Sequence, residues 1–228
     1  MIRKSLVLVL VLAILLMVFT GCNQGKPSSD STGKLIGVTM PTKSLQRWNE
    51  DGANVKAALE AKGYKVDLQY ADNKQETQNS QIENQITMGC DVLIIASIDG
   101  GALGGVLEQA KKANIPVIAY DRLITNTDKC DYYATFDNYG VGKMQGEFIV
   151  SALGLDKGEK GPFSMELFGG DPGDNNAKLF YQGAMDVLQP YIDSGVLVIK
   201  SGQTKFPDQI AITNWESKGA QDRMDNLL

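Results

Sequence analysis

Short apolar runs alternate along the chain with segments whose apolar residues recur at helical spacing. Runs such as DVLIIAS (91–97) and IPVIAY (115–120) are nearly continuous, which is typical of strands buried on both faces. The predicted strands are 34–40, 64–70, 91–97, 115–120, 132–136, 163–168 and 196–201. The predicted helices are 48–62, 74–88, 105–114, 140–153 and 175–194, and Gly63 and Gly89 favour the ends of the first two.

This alternation predicts an α/β fold, built from doubly wound parallel sheets with helices on both faces. In open sheets of this kind, ligands bind outside the carboxyl ends of the strands. The residues that directly follow each predicted strand are therefore the first candidates for a functional site.

Polar and indole side chains are concentrated at these positions. They are Arg47, Trp48, Asp99, Asp121, Arg122, Asp137, Asn138, Asp174, Asn175 and Asn176, with Trp215 near the far end. Planar carboxylate, amide and guanidinium groups can each bond two adjacent hydroxyls, and sugar hydroxyls both donate and accept. An indole offers a flat apolar surface to the C–H face of a pyranose. The set predicts a site for an uncharged carbohydrate, and Asp137 and Asn138 are more typical of a hinge than of that site.

Each candidate also has a simpler structural interpretation. Asp99, Asn175 or Asn176 could cap the helix that follows its strand. Arg122 could form a structural ion pair with the adjacent Asp121, and either tryptophan could be a core aromatic residue. The shared location at strand ends, rather than any single residue, favours the binding site.

The N-terminus carries a targeting pattern. A 14-residue apolar run (6–19) follows Arg3 and Lys4, and it is shorter than the roughly 20 residues of a spanning helix. Residues 1–21 are therefore predicted to be a signal peptide. Because Gly21 precedes Cys22, as in a bacterial lipobox, Cys22 is the predicted lipidation site; the alternative is an ordinary signal peptide with a chance cysteine. Residues 22–33 are predicted to be a flexible tether before the folded domain.

Composition narrows the possible chemistry. The chain contains no histidine and has a formal net charge of −5. A Ser-His-Asp or Cys-His mechanism is thereby excluded, and neither a nucleic-acid surface nor a metal site or cofactor is predicted, so we expect a binding protein rather than an enzyme. Cys90 and Cys130 precede the third and fifth strands, which we expect about 9–10 Å apart in one sheet, too far for a disulfide. Both are predicted to be free thiols.

Several ordered segments resemble type I periplasmic sugar-binding proteins, above all the xylose-binding and ChvE-type multiple-monosaccharide-binding proteins. These segments are MPTKSLQRW (40–48), QYADNKQETQNSQIENQI (69–86), DVLIIASIDG (91–100), IPVIAYDRLI (115–124), YYATFDN (132–138), ELFGGDPGDNNAKLF (166–180) and AQDRMDNLL (220–228). The resemblance extends from about Lys34 to Leu228. It implies two α/β domains, 34–137 and 138–228, that hold a monosaccharide such as xylose, glucose or galactose between them.

The resemblance also implies ligand residues and partners. The implied ligand-binding residues are Arg47, Trp48, Asp99, Asp121, Arg122, Asp174, Asn176 and Trp215. Asp121 and Arg122 lie in a Tyr-Asp-Arg sequence that would bond ring hydroxyls, and Trp215 would stack on the sugar. The implied partners are the membrane subunits of an ABC transporter or, alternatively, a chemoreceptor, with the lipid anchor holding the protein at the outer side of the membrane.

Members of the resembled family continue for roughly another hundred residues. We therefore expect the second domain to be incomplete and to expose apolar surface on one face. A fragment, a disrupted gene and one piece of a split protein are the open alternatives, and a truncated chain without function is among them.

Overall fold

The computed structural model of the protein describes residues 33–228. The predicted signal peptide, the predicted lipidation site Cys22 and all but the last residue of the predicted tether lie outside the described residues. Within the described part, no helix combines the length and the apolar character needed to cross a bilayer.

The first part of the chain forms a parallel five-stranded sheet with strand order β2-β1-β3-β4-β5. Its strands are β1 (Leu35–Met40), β2 (Lys65–Tyr70), β3 (Val92–Ile95), β4 (Val117–Tyr120) and β5 (Tyr132–Ala134). β1 pairs with both β2 and β3, so the chain reverses its direction of progress across the sheet after β2. The α/β class and the parallel sheet predicted from the sequence are confirmed.

In the part of the chain that the structure describes, six helices accompany the strands. They are α1 (Gln46–Glu60), α2 (Gln75–Thr87), α3 (Gly104–Lys112), α4 (Asn138–Ala152), α5 (Asn175–Asp193) and α6 (Ser217–Leu227), with short 3-10 turns at Leu155–Lys157 and Thr213–Trp215. The chain leaves α1 through Gly63 at φ +87° and leaves α2 through Gly89 at φ +75°. Both positions lie in the left-handed region that glycine adopts without steric cost, as the sequence predicts.

Apolar side chains cover the five-stranded sheet on both faces. In β3, Leu93 and Ile95 pack with α3 in one cluster, whereas Val92 and Ile94 contact the other cluster, formed with α1 and β2. The prediction that 91–97 is fully buried is too strong, because Val92 and Ile94 remain partly exposed. A sheet covered on both faces nevertheless requires side chains of both parities to be apolar, which explains the near-continuous runs.

The second part of the chain has a smaller sheet. β6 (Phe163–Met165) and β7 (Leu197–Ile199) pair in parallel, and α4 and α5 pack with them around a third apolar cluster. On α4, Met144 and Phe148 are 59% and 72% exposed. These two side chains leave apolar surface exposed on this helix.

Most strands are shorter than their apolar runs predict. β4 begins at Val117 rather than Ile115, since Pro116 has no N–H to contribute to a ladder. The run predicted to end at Phe136 leaves the ladder after Ala134. Helix α1 begins at Gln46, two residues before the predicted start. Cys90 is buried, Cys130 is partly buried, and both are free thiols, with β4 lying between the strands that they precede.

Candidate functional site

A cavity of about 160 Å³ lies between the first part of the chain, at α1 and the segments after β4 and β5, and the second part, at the start of α5 and the Thr213–Trp215 turn. It is lined by Leu45, Arg47, Trp48, Asp121, Arg122, Phe136, Asp174, Asn176, Phe180 and Trp215. We call it the tryptophan cavity. Every predicted ligand residue except Asp99 lines it, although these residues are spread along the chain from Arg47 to Trp215.

Asp121 follows β4 directly and is 7% exposed. Its Oδ2 accepts a hydrogen bond from Arg47 Nη2 at 3.0 Å, and its Oδ1 accepts one from Asn176 Nδ2 at 3.3 Å. A carboxylate offers about four lone-pair sites. Asp121 is therefore oriented by one residue from each part of the chain, and it retains acceptor capacity for a ligand.

Arg122 turns away from Asp121 and pairs with Asp174. Arg122 Nε lies 3.1 Å from Asp174 Oδ2, and the two side chains are only 6% and 4% exposed. Arg122 Nη1 also donates to the Ser97 carbonyl at 3.0 Å. Burial raises the pKa of the Asp174 carboxyl and lowers the pKa of the Arg122 guanidinium. The structural ion pair considered between Arg122 and Asp121 is therefore wrong, and the partner lies in the second part of the chain.

Asp174 has a second role at the beginning of α5. Its Oδ1 accepts from the Asn176 backbone N–H at 2.9 Å, which caps the helix, while its Oδ2 accepts from Trp215 Nε1 at 3.1 Å. The capping interpretation therefore applies to Asp174 rather than to Asn175. An N-cap carboxylate also interacts favourably with the helix dipole, so the same group stabilises α5 and fixes two cavity side chains.

The two indoles occupy different environments. Trp48 is 1% exposed and belongs to an apolar cluster of the five-stranded sheet. The guanidinium carbons of Arg47 and Arg122 lie 4.0 and 5.1 Å from the centroid of its ring. Trp48 is thus a core aromatic residue, as the alternative proposed, and it also supports two cavity arginines through cation–π contacts.

Trp215 is held in an unusual backbone conformation. Asn214 and Trp215 both have φ near +57°, a region that bulky residues rarely adopt. A Cβ at Gly170 would lie 2.1 Å from the indole, so only glycine leaves room for this ring. Strained residues persist where the surroundings over-determine them, as at ligand sites.

Aromatic side chains that the sequence interpretation missed complete the wall. Phe180 meets Trp215 edge to face and stacks with Phe136, with ring centroids 6.2 Å apart in both pairs. Neither phenylalanine carries a polar group that would mark it as a site residue. The position of Phe136 at the end of the fifth predicted strand is the one signal in the sequence that could have identified it.

Asp99 lies elsewhere. It is exposed, its Oδ1 accepts from the Gly101 N–H at 2.8 Å, and it lines a separate cavity of about 480 Å³. We call this second one the larger cavity; its lining also includes Asn126, Asp174, Lys178, Tyr181, Gln182 and Phe206. The structure therefore corrects the placement of Asp99, whose carboxylate closes a local turn instead of joining the other ligand candidates.

Asp137 and Asn138 do not line the tryptophan cavity. Asp137 caps α4 by accepting from the Gly140 N–H at 2.9 Å, and Asn138 is 3% exposed. They lie where the chain passes from the first sheet to α4, and their interpretation as hinge residues stays a prediction. Among residues 33–228, no cluster of three or more metal-ligating side chains is found.

Comparison with known proteins identifies the family. The family model described as "Periplasmic binding protein domain" matches residues 36–228. The chain is 56% identical to the multiple sugar-binding periplasmic receptor ChvE of Rhizobium radiobacter, over 85% of this chain and 54% of that protein. It is 39% identical to the D-xylose-binding periplasmic protein of Escherichia coli K12, over the same shares of the two chains.

A crystal structure shows the same fold. An ABC transporter solute-binding protein from Clostridium phytofermentans, with bound β-D-glucose, superimposes with a TM-score of 0.83 at 60% identity. The match covers 85% of this chain and 59% of that one. The chain thus spans somewhat more than half the length of the proteins that it matches.

The resemblance to xylose-binding and ChvE-type proteins is confirmed by these relatives. The matched family consists of solute-binding proteins rather than enzymes. The chain therefore belongs to the family of periplasmic binding proteins and is similar to its type I sugar-binding members.

Proposed function

We propose that this protein binds a monosaccharide of the xylose, glucose or galactose type in the tryptophan cavity. The observation that carries the proposal is the convergence of Asp121, Arg122, Asp174 and Asn176, all at most 7% exposed, on a cavity with aromatic walls. Buried polar groups that already hold one another in place lose little freedom when a ligand arrives, and this preorganisation favours affinity.

The polar groups suit hydroxyls rather than a charged ligand. Asp121 and Asp174 are acceptors, Arg47 supplies N–H donors from a half-exposed side chain, and Asn176 can do both. Each sugar hydroxyl donates one hydrogen bond and accepts others, so alternating acceptors and donors satisfy it completely. A phosphate would instead require several convergent backbone N–H groups without carboxylates nearby.

We propose further that residues 34–137 and 138–228 act as two halves that enclose the sugar. Direct hydrogen bonds join them: Asn176 Nδ2 donates to the Asp121 carbonyl at 3.1 Å, and the Gly100 N–H donates to the Gly173 carbonyl at 3.1 Å. The Arg122–Asp174 ion pair also crosses between the halves. A ligand that bonds to residues of both halves would stabilise this closed arrangement.

The protein is proposed to work outside the cytoplasm and to deliver the sugar to an ABC transporter. The apolar run 6–19 followed by Cys22 supports export and lipid anchoring. Replacement of Cys22 by serine should release the protein from the membrane fraction while leaving sugar binding intact. Retention of the Cys22→Ser protein in the membrane fraction would refute the lipid anchor.

The binding proposal is tested by calorimetry. D-xylose, D-glucose, D-galactose and, as an acyclic control, glycerol are titrated into the folded protein. We expect saturable heat with at least one monosaccharide and none with glycerol, because glycerol lacks a ring to fill the space between the indole and the carboxylates. A folded protein that gives no heat with any monosaccharide would refute the proposal.

A sensory role is the second candidate, and the relative named a sugar-binding receptor favours it. The same sugar-bound form would then dock on a chemoreceptor or kinase instead of a transporter. Deletion of the transporter's membrane subunits separates the two roles. If this protein delivers sugar, the deletion abolishes the sugar uptake that depends on it, while signalling is retained. If it senses sugar, uptake is retained and the sugar response still needs this protein.

A further inference from the structure

Three donors converge on the backbone carbonyl of Asp121. Thr135 Oγ1 donates at 2.9 Å, Tyr133 Oη at 3.1 Å and Asn176 Nδ2 at 3.1 Å. A carbonyl oxygen has two lone pairs, so this acceptor is more than saturated. The carbonyl of a cavity residue is thus anchored on three sides by side chains.

The anchored residue has a backbone conformation that needs support. Asp121 has φ +63°, in the left-handed region where few residues other than glycine are found. Its N–H donates to the Ala134 carbonyl at 2.8 Å, so both of its backbone polar groups are bound to β5 or its extension. The left-handed turn directs the Asp121 carboxylate toward Arg47 and Asn176.

The sequence places the two hydroxyls for this purpose. Tyr133 and Thr135 are two residues apart, and side chains at i and i+2 of an extended strand lie on the same face. Among residues 33–228, β5 pairs only with β4, so this segment lies at the edge of the sheet, beside the turn after β4. The YYAT sequence thus provides two donors directed at one carbonyl.

A second bond orients the threonine hydroxyl. Asn138 Nδ2 donates to Thr135 Oγ1 at 3.2 Å. Because that oxygen then acts as an acceptor toward Asn138, its own proton is free to bond the Asp121 carbonyl. Asn138 is the first residue of α4 and is 3% exposed, so a short relay joins the start of the second half to Asp121. The Tyr133 phenol is protonated at neutral pH, and burial raises its pKa further.

We infer that Thr135 and Tyr133 are positioning residues, which hold the Asp121 backbone in its left-handed turn and thereby aim its carboxylate into the tryptophan cavity. Neither residue lines that cavity. The inference rests on the proposed sugar binding for its functional consequence, but the backbone support itself does not depend on any ligand.

The functional arm of the test compares Thr135→Val with Thr135→Ser. Valine keeps the shape without the hydroxyl, and we expect sugar affinity to fall about three- to tenfold, the range for one hydrogen bond. Serine restores the donor and should keep affinity within about twofold of the unchanged protein. Thr87→Val is the matched control, since Thr87 Oγ1 also donates to a carbonyl at 2.9 Å but lies on α2.

A double-mutant cycle tests whether Thr135 acts through Asp121. In an Asp121→Ala background, Thr135→Val should change sugar affinity by less than about twofold, because the carboxylate to be positioned is gone. An undiminished effect in that background, or a Thr135→Ser protein as weak as Thr135→Val, would overturn the inference.

A ligand-free arm keeps the inference separate from the proposed function. Urea unfolding is measured for Thr135→Val, Asp121→Gly and the double variant. Glycine adopts positive φ without steric cost, so loss of the threonine hydroxyl should destabilise the Asp121→Gly protein less than it destabilises the unchanged protein. Additive changes in the free energy of unfolding would refute the inference that the Thr135 hydroxyl supports the Asp121 backbone. Coupling in a protein that binds no sugar would uphold that support and refute the proposed function instead.

Discussion

The tryptophan cavity and the larger cavity differ in their chemistry more than in their location. The larger cavity has about 480 Å³ against 160 Å³, yet its own polar residues, such as Asp99, Asn126 and Lys178, are exposed. In the smaller one, Asp121, Arg122, Asp174 and Asn176 are buried and bonded to one another. Among the described residues, Asp174 is the one polar residue that lines both cavities.

The tryptophan cavity is proposed as the binding site because buried polar groups converge there, and not because of its volume. A buried charge must be paired, since the desolvation of an isolated ion is costly. Replacement of a buried pair by apolar side chains is often neutral or stabilising. The following predictions therefore compare buried residues of the tryptophan cavity with matched residues that lie outside it.

The largest effect is expected for Asp174→Ala. This change leaves Arg122 buried without its counter-charge and removes the cap of α5, so the free energy of unfolding should fall by about 3–5 kcal/mol. Asp137→Ala is the matched control, because Asp137 caps α4 but pairs with no buried arginine in residues 33–228; it should cost about 1 kcal/mol. Urea denaturation measures both. Equal losses of unfolding free energy in the two variants would show that helix capping alone explains the stabilising role of Asp174.

Asp121→Ala should weaken monosaccharide binding at least about tenfold, a change of about 1.4 kcal/mol, with the circular dichroism spectrum unchanged. The physical reason is the loss of an oriented, buried acceptor for sugar hydroxyls. Asp99→Ala removes a carboxylate from the larger cavity and should change affinity by less than about twofold. Calorimetry measures both, and a reversed order would transfer the site to the larger cavity.

Arg122→Ala should also weaken monosaccharide binding at least about tenfold. The guanidinium is lost from the wall of the tryptophan cavity, and Asp174 is left without its buried partner. Lys178→Ala, which removes an exposed cation of the larger cavity, should leave affinity within about twofold. Unchanged calorimetric affinity in a folded Arg122→Ala protein would remove Arg122 from the site.

Trp215→Phe should weaken binding about three- to tenfold, because phenylalanine keeps an aromatic surface but loses the N–H donated to Asp174. Tyr181→Phe is the matched control. This substitution likewise removes one hydrogen-bond donor from an aromatic residue, because Tyr181 Oη donates to the Thr204 carbonyl at 2.8 Å. Tyr181, however, lines the larger cavity. Equal affinity in the Trp215→Phe and unchanged proteins would remove this indole from the site.

The smallest effect is optical. Addition of the bound monosaccharide should quench or shift the tryptophan emission, since both indoles line the cavity that loses water on binding. Trp48 is already buried, so most of the change should come from Trp215 and should disappear in Trp215→Phe. A change that persists in that variant would assign the signal to Trp48.

The sequence predicts the fold well because burial on both faces of the sheet imposes it locally. Runs such as the one containing Leu93 and Ile95 favour a covered parallel strand, and Gly63 and Gly89 mark helix ends through their backbone freedom. Strand ends were less predictable. They depend on which neighbouring strand is available, as for the residues after Ala134.

The sequence predicted which residues of the candidate site lie together, but it did not predict which of them pair with one another. Strand topology brings residues after β1 and β4 to one edge, so Trp48, Asp121 and Arg122 were expected together. The partnership of Arg122 with Asp174 depends on how the two parts pack, and no local pattern encodes it. Asp99 shares the residue type and the strand-end position of true cavity residues, yet its loop turns it toward Gly101. Phe180 has no polar group that could have marked it as a residue of the candidate site.

The most direct test is a crystal structure of the protein grown with D-glucose or D-xylose. We predict one sugar in the tryptophan cavity, with ring hydroxyls within hydrogen-bond distance of Asp121 and Asn176 and a C–H face against Trp215. A sugar found in the larger cavity, or an empty tryptophan cavity at saturating sugar, would contradict it.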